Sequence, residues 1–153
     1  MLSDILKTLF TAMLPVLEIR GAIPVGVAAG LDPWFAFAVG VVGNMLPIPI
    51  LILITRHVID WLKKHGILVR FTNWLERKGE EKAQTVQRYS FWGLFILVAI
   101  PLPGTGAWTG ALVASLLDMR LKSALPAITM GVMAAGLIVL VLTYGVIHVG
   151  SLA

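Results

Sequence analysis

An acid and a base stand in the middle of an otherwise apolar run from Leu9 to Leu31, in the stretch Leu14-Pro15-Val16-Leu17-Glu18-Ile19-Arg20-Gly21-Ala22-Ile23-Pro24. A charge at bilayer depth costs about 2.5–3.5 kcal/mol even on the gentler insertion scales. This run is therefore not a plain membrane helix, and its two charges are candidates for function. Glu18 and Arg20 are two positions apart, so in a regular helix they point to different faces. In an extended segment they share a side. Pro24 removes a helical hydrogen bond and clashes with the carbonyl of Arg20 in a continuous helix. Gly21 relaxes the backbone beside it. The expectation is a helix broken at depth within Leu14 to Pro24, with a polar, non-helical tip around Glu18 and Arg20. Such backbone survives in a membrane where protein or a water-filled cavity surrounds it.

The rest of the chain agrees with a membrane setting. Of 153 residues 58% are hydrophobic and 13% charged, against about 25% charged in an ordinary soluble domain. One compact membrane domain fits the length. With no cysteine there is no disulfide and no thiolate metal site. His57, His65 and His148 lack ligand spacing, and no cofactor or metal is expected. The net charge of +4 follows topology rather than nucleic acid. The opening residues lack a small-residue cleavage site, so no cleaved signal peptide is expected.

After the first run, Asp32-Pro33 reads as a helix start, Asp as N-cap and Pro at the first position. Pro33 to Thr55 then carries no charge and spans about 34 Å as a helix, enough to cross. Ala36, Gly40 and Asn44 share a face. Pro47 and Pro49 free carbonyls near Asn44 and make a polar spot at depth. Gly26 and Gly30 suit a close helix contact. Arg56 to Ser90 is polar, with eight Lys/Arg and four acids. Its apolar residues recur at helical spacing, which predicts amphipathic surface helices broken at Gly66 and Gly79.

Phe91 to Leu117 is a second interrupted run, centred on Pro101-Leu102-Pro103-Gly104-Thr105-Gly106-Ala107-Trp108-Thr109-Gly110. Several backbone groups there lack helical partners. Gly104 and Gly106 permit a concavity of N–H groups that takes an anion, with the Thr105 and Thr109 hydroxyls beside it. A charged turn, Asp118 to Lys122, leads to the last crossing, Ser123 to Val149.

Shifted by 86 positions, the halves align without gaps: Pro15 falls on Pro101, Val27 on Val113, Leu31 on Leu117 and Asp32 on Asp118. The predicted architecture is an all-α integral membrane protein built as an inverted repeat. Each half holds a re-entrant helical hairpin and a transmembrane helix: repeat 1 about 8–55, a cytoplasmic amphipathic segment 56–90, repeat 2 about 91–149. Re-entrant hairpins place ten of the twelve Lys/Arg inside, which fully crossing runs do not. Paired interrupted segments in matching halves point to a transporter with its site at the repeat interface.

The two motifs, Glu18 to Pro24 and Pro101 to Gly110, resemble the bacterial and archaeal small multi-drug export protein family, which is similar to the DedA (VTT-domain) superfamily. The resemblance covers nearly the whole chain. It implies two re-entrant hairpins meeting tip to tip in a multi-pass protein of the prokaryotic inner membrane. It also implies proton-coupled flipping of an anionic lipid such as undecaprenyl phosphate. Here the second tip is uncharged, where DedA proteins carry arginine. On this reading Arg20, Gly21, Gly104, Thr105, Gly106, Thr109 and Asn44 bind substrate and Glu18 carries the proton. Pro15, Pro24, Pro101 and Pro103 break the hairpins. The alternatives are a small multidrug exporter and a non-transporting assembly protein. No Ser/His or His/carboxylate constellation supports an enzyme. Two crossings and two hairpins enclose little, so a homodimer or larger assembly joined through Gly/Ala faces is expected.

Overall fold

The computed structural model describes residues 1–66, 89–102 and 104–150. Its elements are α1 (Leu2–Met13), α2 (Glu18–Ala28), α3 (Pro33–Met45) and α4 (Ile48–Lys64). They continue with α5 (Tyr89–Ala99), α6 (Ala107–Leu116) and α7 (Leu121–Gly150). No strand occurs among the described residues.

Local chemistry sets the first break. A residue before proline is pushed out of the helical region, and Leu14, before Pro15, is extended at φ −74°, ψ 134°. α1 ends there, and the chain reverses through Leu14–Leu17. Thr8 of α1 then meets Gly26 of α2, where a Cβ on the glycine would stand 2.9 Å from the Thr8 hydroxyl. The two helices are thus an antiparallel pair. The same arrangement returns in α5 and α6: the chain reverses between Ala99 and Ala107, and Val98 lies against Gly110.

This corrects the position of the first tip. Glu18, Arg20, Gly21 and Pro24 are in α2, with Pro24 inside the helix. The missing Pro24 N–H costs one backbone bond, which the packed helix absorbs, whereas Pro15 acts on a residue that already ends a helix. The second tip is likewise shorter than expected, because Ala107 to Gly110 are helical.

Asp32 caps α3 as its sequence requires, accepting from the Trp34 and Phe35 amides at 3.0 and 3.1 Å. Asp118 does not repeat that role. It sits at φ 49° just past the end of α6, as Gly30 sits at φ 89° past the end of α2. In both places the following N–H bonds five residues back, Leu31 to Gly26 and Met119 to Ala114, each at about 3 Å. That is a Schellman cap with its buried apolar residue. The shared geometry therefore comes 88 positions apart, not the 86 of the gapless alignment, and pairs Asp118 with Gly30. Gly30 serves a turn rather than a helix contact.

α3 and α4 form one apolar stretch, Pro33–Lys64, bent at Leu46-Pro47. Arg56 to Lys64 thus continue this helix instead of starting a surface one. The stretch closes at Gly66, φ 72°. Residues 67–88, including Gly79 and the expected amphipathic helices, lie outside the described residues, as does Pro103.

Two helices, Pro33–Lys64 and Leu121–Val146, are long and apolar enough to cross a membrane. The packing shows the same solvent preference. Small residues fill the inside, among them Ala22, Ala36, Ala111, Ala127 and Ala135. Large ones face out, among them Trp34, Val42, Leu53, Val141 and Leu142. Helices in lipid associate through small residues and turn bulky apolar ones to the acyl chains. The glycines of α7 are used inside the chain: Gly131 takes Val98, and Gly136 takes Ile19 and Phe37. Gly131 thus seats α7 on α5 of its own half, and Gly136 seats it on α2 and α3 of the other.

Candidate functional site

Glu18 opens α2 in the left-handed region, φ 49°. That conformation is strained for a residue with a side chain. It also takes Glu18 out of the helical rule for neighbours two apart, and Arg20 Nη2 comes to 4.0 Å from Glu18 Oε2. The acid is 5% exposed, so its charge must be met by protein.

It is met by the other hairpin. Glu18 Oε1 accepts from the Trp108 amide at 3.3 Å, and the Ala107 amide also faces the carboxylate. These are first-turn N–H groups of α6, which have no partner inside the helix. Gly106, the N-cap, offers no side chain. Glu18, 88 residues earlier, therefore caps α6 across the molecule, with its charge on the positive end of the helix. Gly106 makes this approach possible, since a Cβ there would run into the Glu18 carboxylate.

Arg20 reaches the same hairpin one step upstream. Its Nη1 donates to the Leu102 carbonyl and its Nη2 donates to the Thr105 hydroxyl at 3.3 Å. Thr105 Oγ1 lies 2.8 Å from Ile100 O and 2.9 Å from Leu102 O, and its one hydrogen serves either. The Trp108 indole closes the junction by donating to Met13 O at 3.2 Å. Two charged side chains of one hairpin are thus seated on the broken segment of the other, the acid on amides and the base on a carbonyl and a hydroxyl.

The expected site residues divide on this geometry. Glu18, Arg20, Thr105 and Gly106 come together. The amides that face Glu18 are those of Ala107 and Trp108, just past the Gly104–Gly106 concavity expected to take a substrate anion. Thr109 bonds Gly104 O at 2.8 Å and stitches the break. Gly104, φ 83°, turns the chain with open space around it. Gly21 makes room for Leu17, where a Cβ would stand 2.9 Å from Leu17 Cβ. Pro15 and Pro101 lie in the breaks, and Pro24 does not. Asn44 is fully buried on α3, and neither polar atom of its side chain has a partner among the described residues. Leu102 O and the Trp108 amide and indole are participants that residue types alone did not single out, because backbone groups carry no sequence signal.

An apolar groove of about 500 Å³ begins one helical turn from Arg20, between α2 and α7, walled by Pro24, Val27, Val139, Leu142 and Val146.

Residues 18–138 match the family described as "Putative small multi-drug export protein". No curated protein and no solved structure matches the chain. The match begins at the acid that caps α6 and runs through the second break into α7, and the chain belongs to the small multi-drug export protein family.

Proposed function

We propose that this protein exports small amphipathic compounds across a prokaryotic inner membrane, coupled to protons through Glu18. The observation that carries the reading is the cross-hairpin cap. A carboxylate holds the positive end of α6, and its charge is the reason it is held. Adding a proton removes that attraction and frees the tips to part, which links proton uptake to opening. The apolar groove between α2 and α7, walled from Pro24 onward, suits the greasy part of a substrate. No catalytic step is assigned.

On this reading α1–α2 and α5–α6 are re-entrant hairpins entering from opposite sides, as in an inverted repeat and in the DedA-like proteins. Single cysteines at Ser3 and Ser123 test it, since the chain has none of its own. Ser3→Cys is expected to label from outside and Ser123→Cys from inside only. Outside labelling of Ser123→Cys alone overturns it. A homodimer or larger assembly is part of this reading, because two crossings and two hairpins enclose little.

A second reading rests on Arg20, whose Nε has no partner. When the tips part, its guanidinium is free to fork onto a phosphate, which favours an anionic lipid such as a polyprenyl phosphate. Proteoliposomes with an imposed pH gradient separate the readings. Movement of a lipophilic cationic dye supports drug export, and movement of a short-chain polyprenyl phosphate supports the lipid reading. Movement of neither by inserted, folded protein contradicts both.

A further inference from the structure

Trp108 is bonded to both arms of the first hairpin. Its amide donates to Glu18 Oε1 of α2 at 3.3 Å, and its indole Nε1 donates to Met13 O of α1 at 3.2 Å. Met13 is the last residue of α1, where carbonyls have no donor inside the helix. Between the two contacts lies the reversal Leu14–Leu17, whose residues are exposed. One residue of the second hairpin thus spans the break in the first.

The rest of α1 is held by packing. Thr8 lies against Gly26, and Leu9 and Ala12 lie against Gly43. Among the described residues, the Trp108 indole is the one side chain from outside the first hairpin that hydrogen-bonds α1. Glu18 and Arg20 are the ionisable side chains at this junction. α3 and α6 carry none. Asp4 and Lys7 of α1 lie beyond Thr8, level with the far end of α2. Lys122, Tyr144 and His148 of α7 lie two turns or more from Gly136, which meets Ile19.

We propose that Trp108 is the positioning residue through which the charge of Glu18 fixes the end of α1, so that loss of that charge frees both arms of the first hairpin together. A neutral Glu18 holds the positive end of α6 more weakly. Amide and indole belong to one residue, so a shift of the amide carries the indole away from Met13 O. The proposal rests on the export reading for the event that discharges Glu18, the proton.

Two measurements on the full chain in lipid discs test it. In the first, Phe replaces Trp34, Trp61, Trp74 and Trp92, so that emission reports Trp108 alone. Glu18→Gln is expected to move that emission to the red at neutral pH, as water enters the opened junction. Acid is expected to move the parent protein to the same position. Emission of Glu18→Gln at the parent's position overturns the proposal, even where export needs Glu18. A red-shifted Glu18→Gln beside a parent that acid leaves unmoved upholds the link from charge to α1 and contradicts the proton reading alone.

The second measurement keeps the native tryptophans and follows a nitroxide on Val16→Cys in the reversal. Trp108→Phe keeps an aromatic ring and the amide on Glu18 but removes the indole donor. It is expected to free the nitroxide as far as Glu18→Gln does, and the double variant to free it no further. Added mobility in the double variant overturns the proposal, and so does a nitroxide that Trp108→Phe leaves restrained.

Discussion

Replacing Gly106 by alanine separates the two hairpins. The new methyl group occupies the space of the Glu18 carboxylate, which must then leave the Trp108 amide inside a buried junction. Overpacking costs about 1–3 kcal/mol, and a buried charge deprived of its amide donor adds about 1.5–3. The expected result is a fall in Tm of about 5–15 °C and loss of export. Gly93→Ala is the control, since nothing lies within 4 Å of a Cβ there, and its Tm is expected to stay within about 2 °C. Glu18→Ala in the Gly106→Ala background removes the collision. Part of the lost stability should therefore return, and a strictly additive pair would contradict the contact.

The second large effect is at Arg20. Truncation to alanine removes the donors to Leu102 O and Thr105 and leaves Glu18 without its nearest cation. Removing one partner of a buried charge pair is costly, at about 3–5 kcal/mol when fully buried. Arg20 is 19% exposed, so about 2–4 kcal/mol is expected, or a Tm lowered by about 5–12 °C. Arg20→Lys keeps the charge but not the fork, and should recover about half of the loss. The Trp108 indole sits at this junction, bonded to Met13 O. Its emission is expected to move to the red in Arg20→Ala as water enters. Native Tm and emission in Arg20→Ala would show that the contacts hold nothing together.

How much of this was legible in the sequence depends on where the information lies. The helix start at Asp32-Pro33 is local chemistry, and the structure realises it with both capping bonds. The two interrupted apolar runs were likewise legible, because prolines and glycines in such runs leave backbone groups to be satisfied. The exact tip was not. Pro15 and Pro24 look alike on paper, but Pro15 acts on an extended Leu14, while Pro24 is carried inside a packed helix. Gly30 and Asp118 serve one cap geometry with different residue types, which a comparison of identities cannot find.

The candidate site was half legible. Glu18 and Arg20 announce themselves as charges in an apolar run. Their partners do not: the Trp108 amide and the Leu102 carbonyl are backbone atoms more than 80 residues away, brought close by packing through Gly110, Gly131 and Gly136. The amides next to the concavity expected to take a substrate anion already face an acid of the same chain. That moves the functional question from what binds at the tips to what releases them.

The account rests on Glu18 as the group whose charge closes the tips. The direct measurement is export in proteoliposomes under a pH gradient, wild type beside Glu18→Gln, with the lipophilic cationic dye and the short-chain polyprenyl phosphate as cargo. Glutamine keeps the shape and an oxygen for the Trp108 amide but carries no exchangeable charge. The account predicts that gradient-driven movement is lost in Glu18→Gln while the protein inserts and melts as a folded chain. Wild-type export by Glu18→Gln, with the same dependence on the gradient, would contradict it.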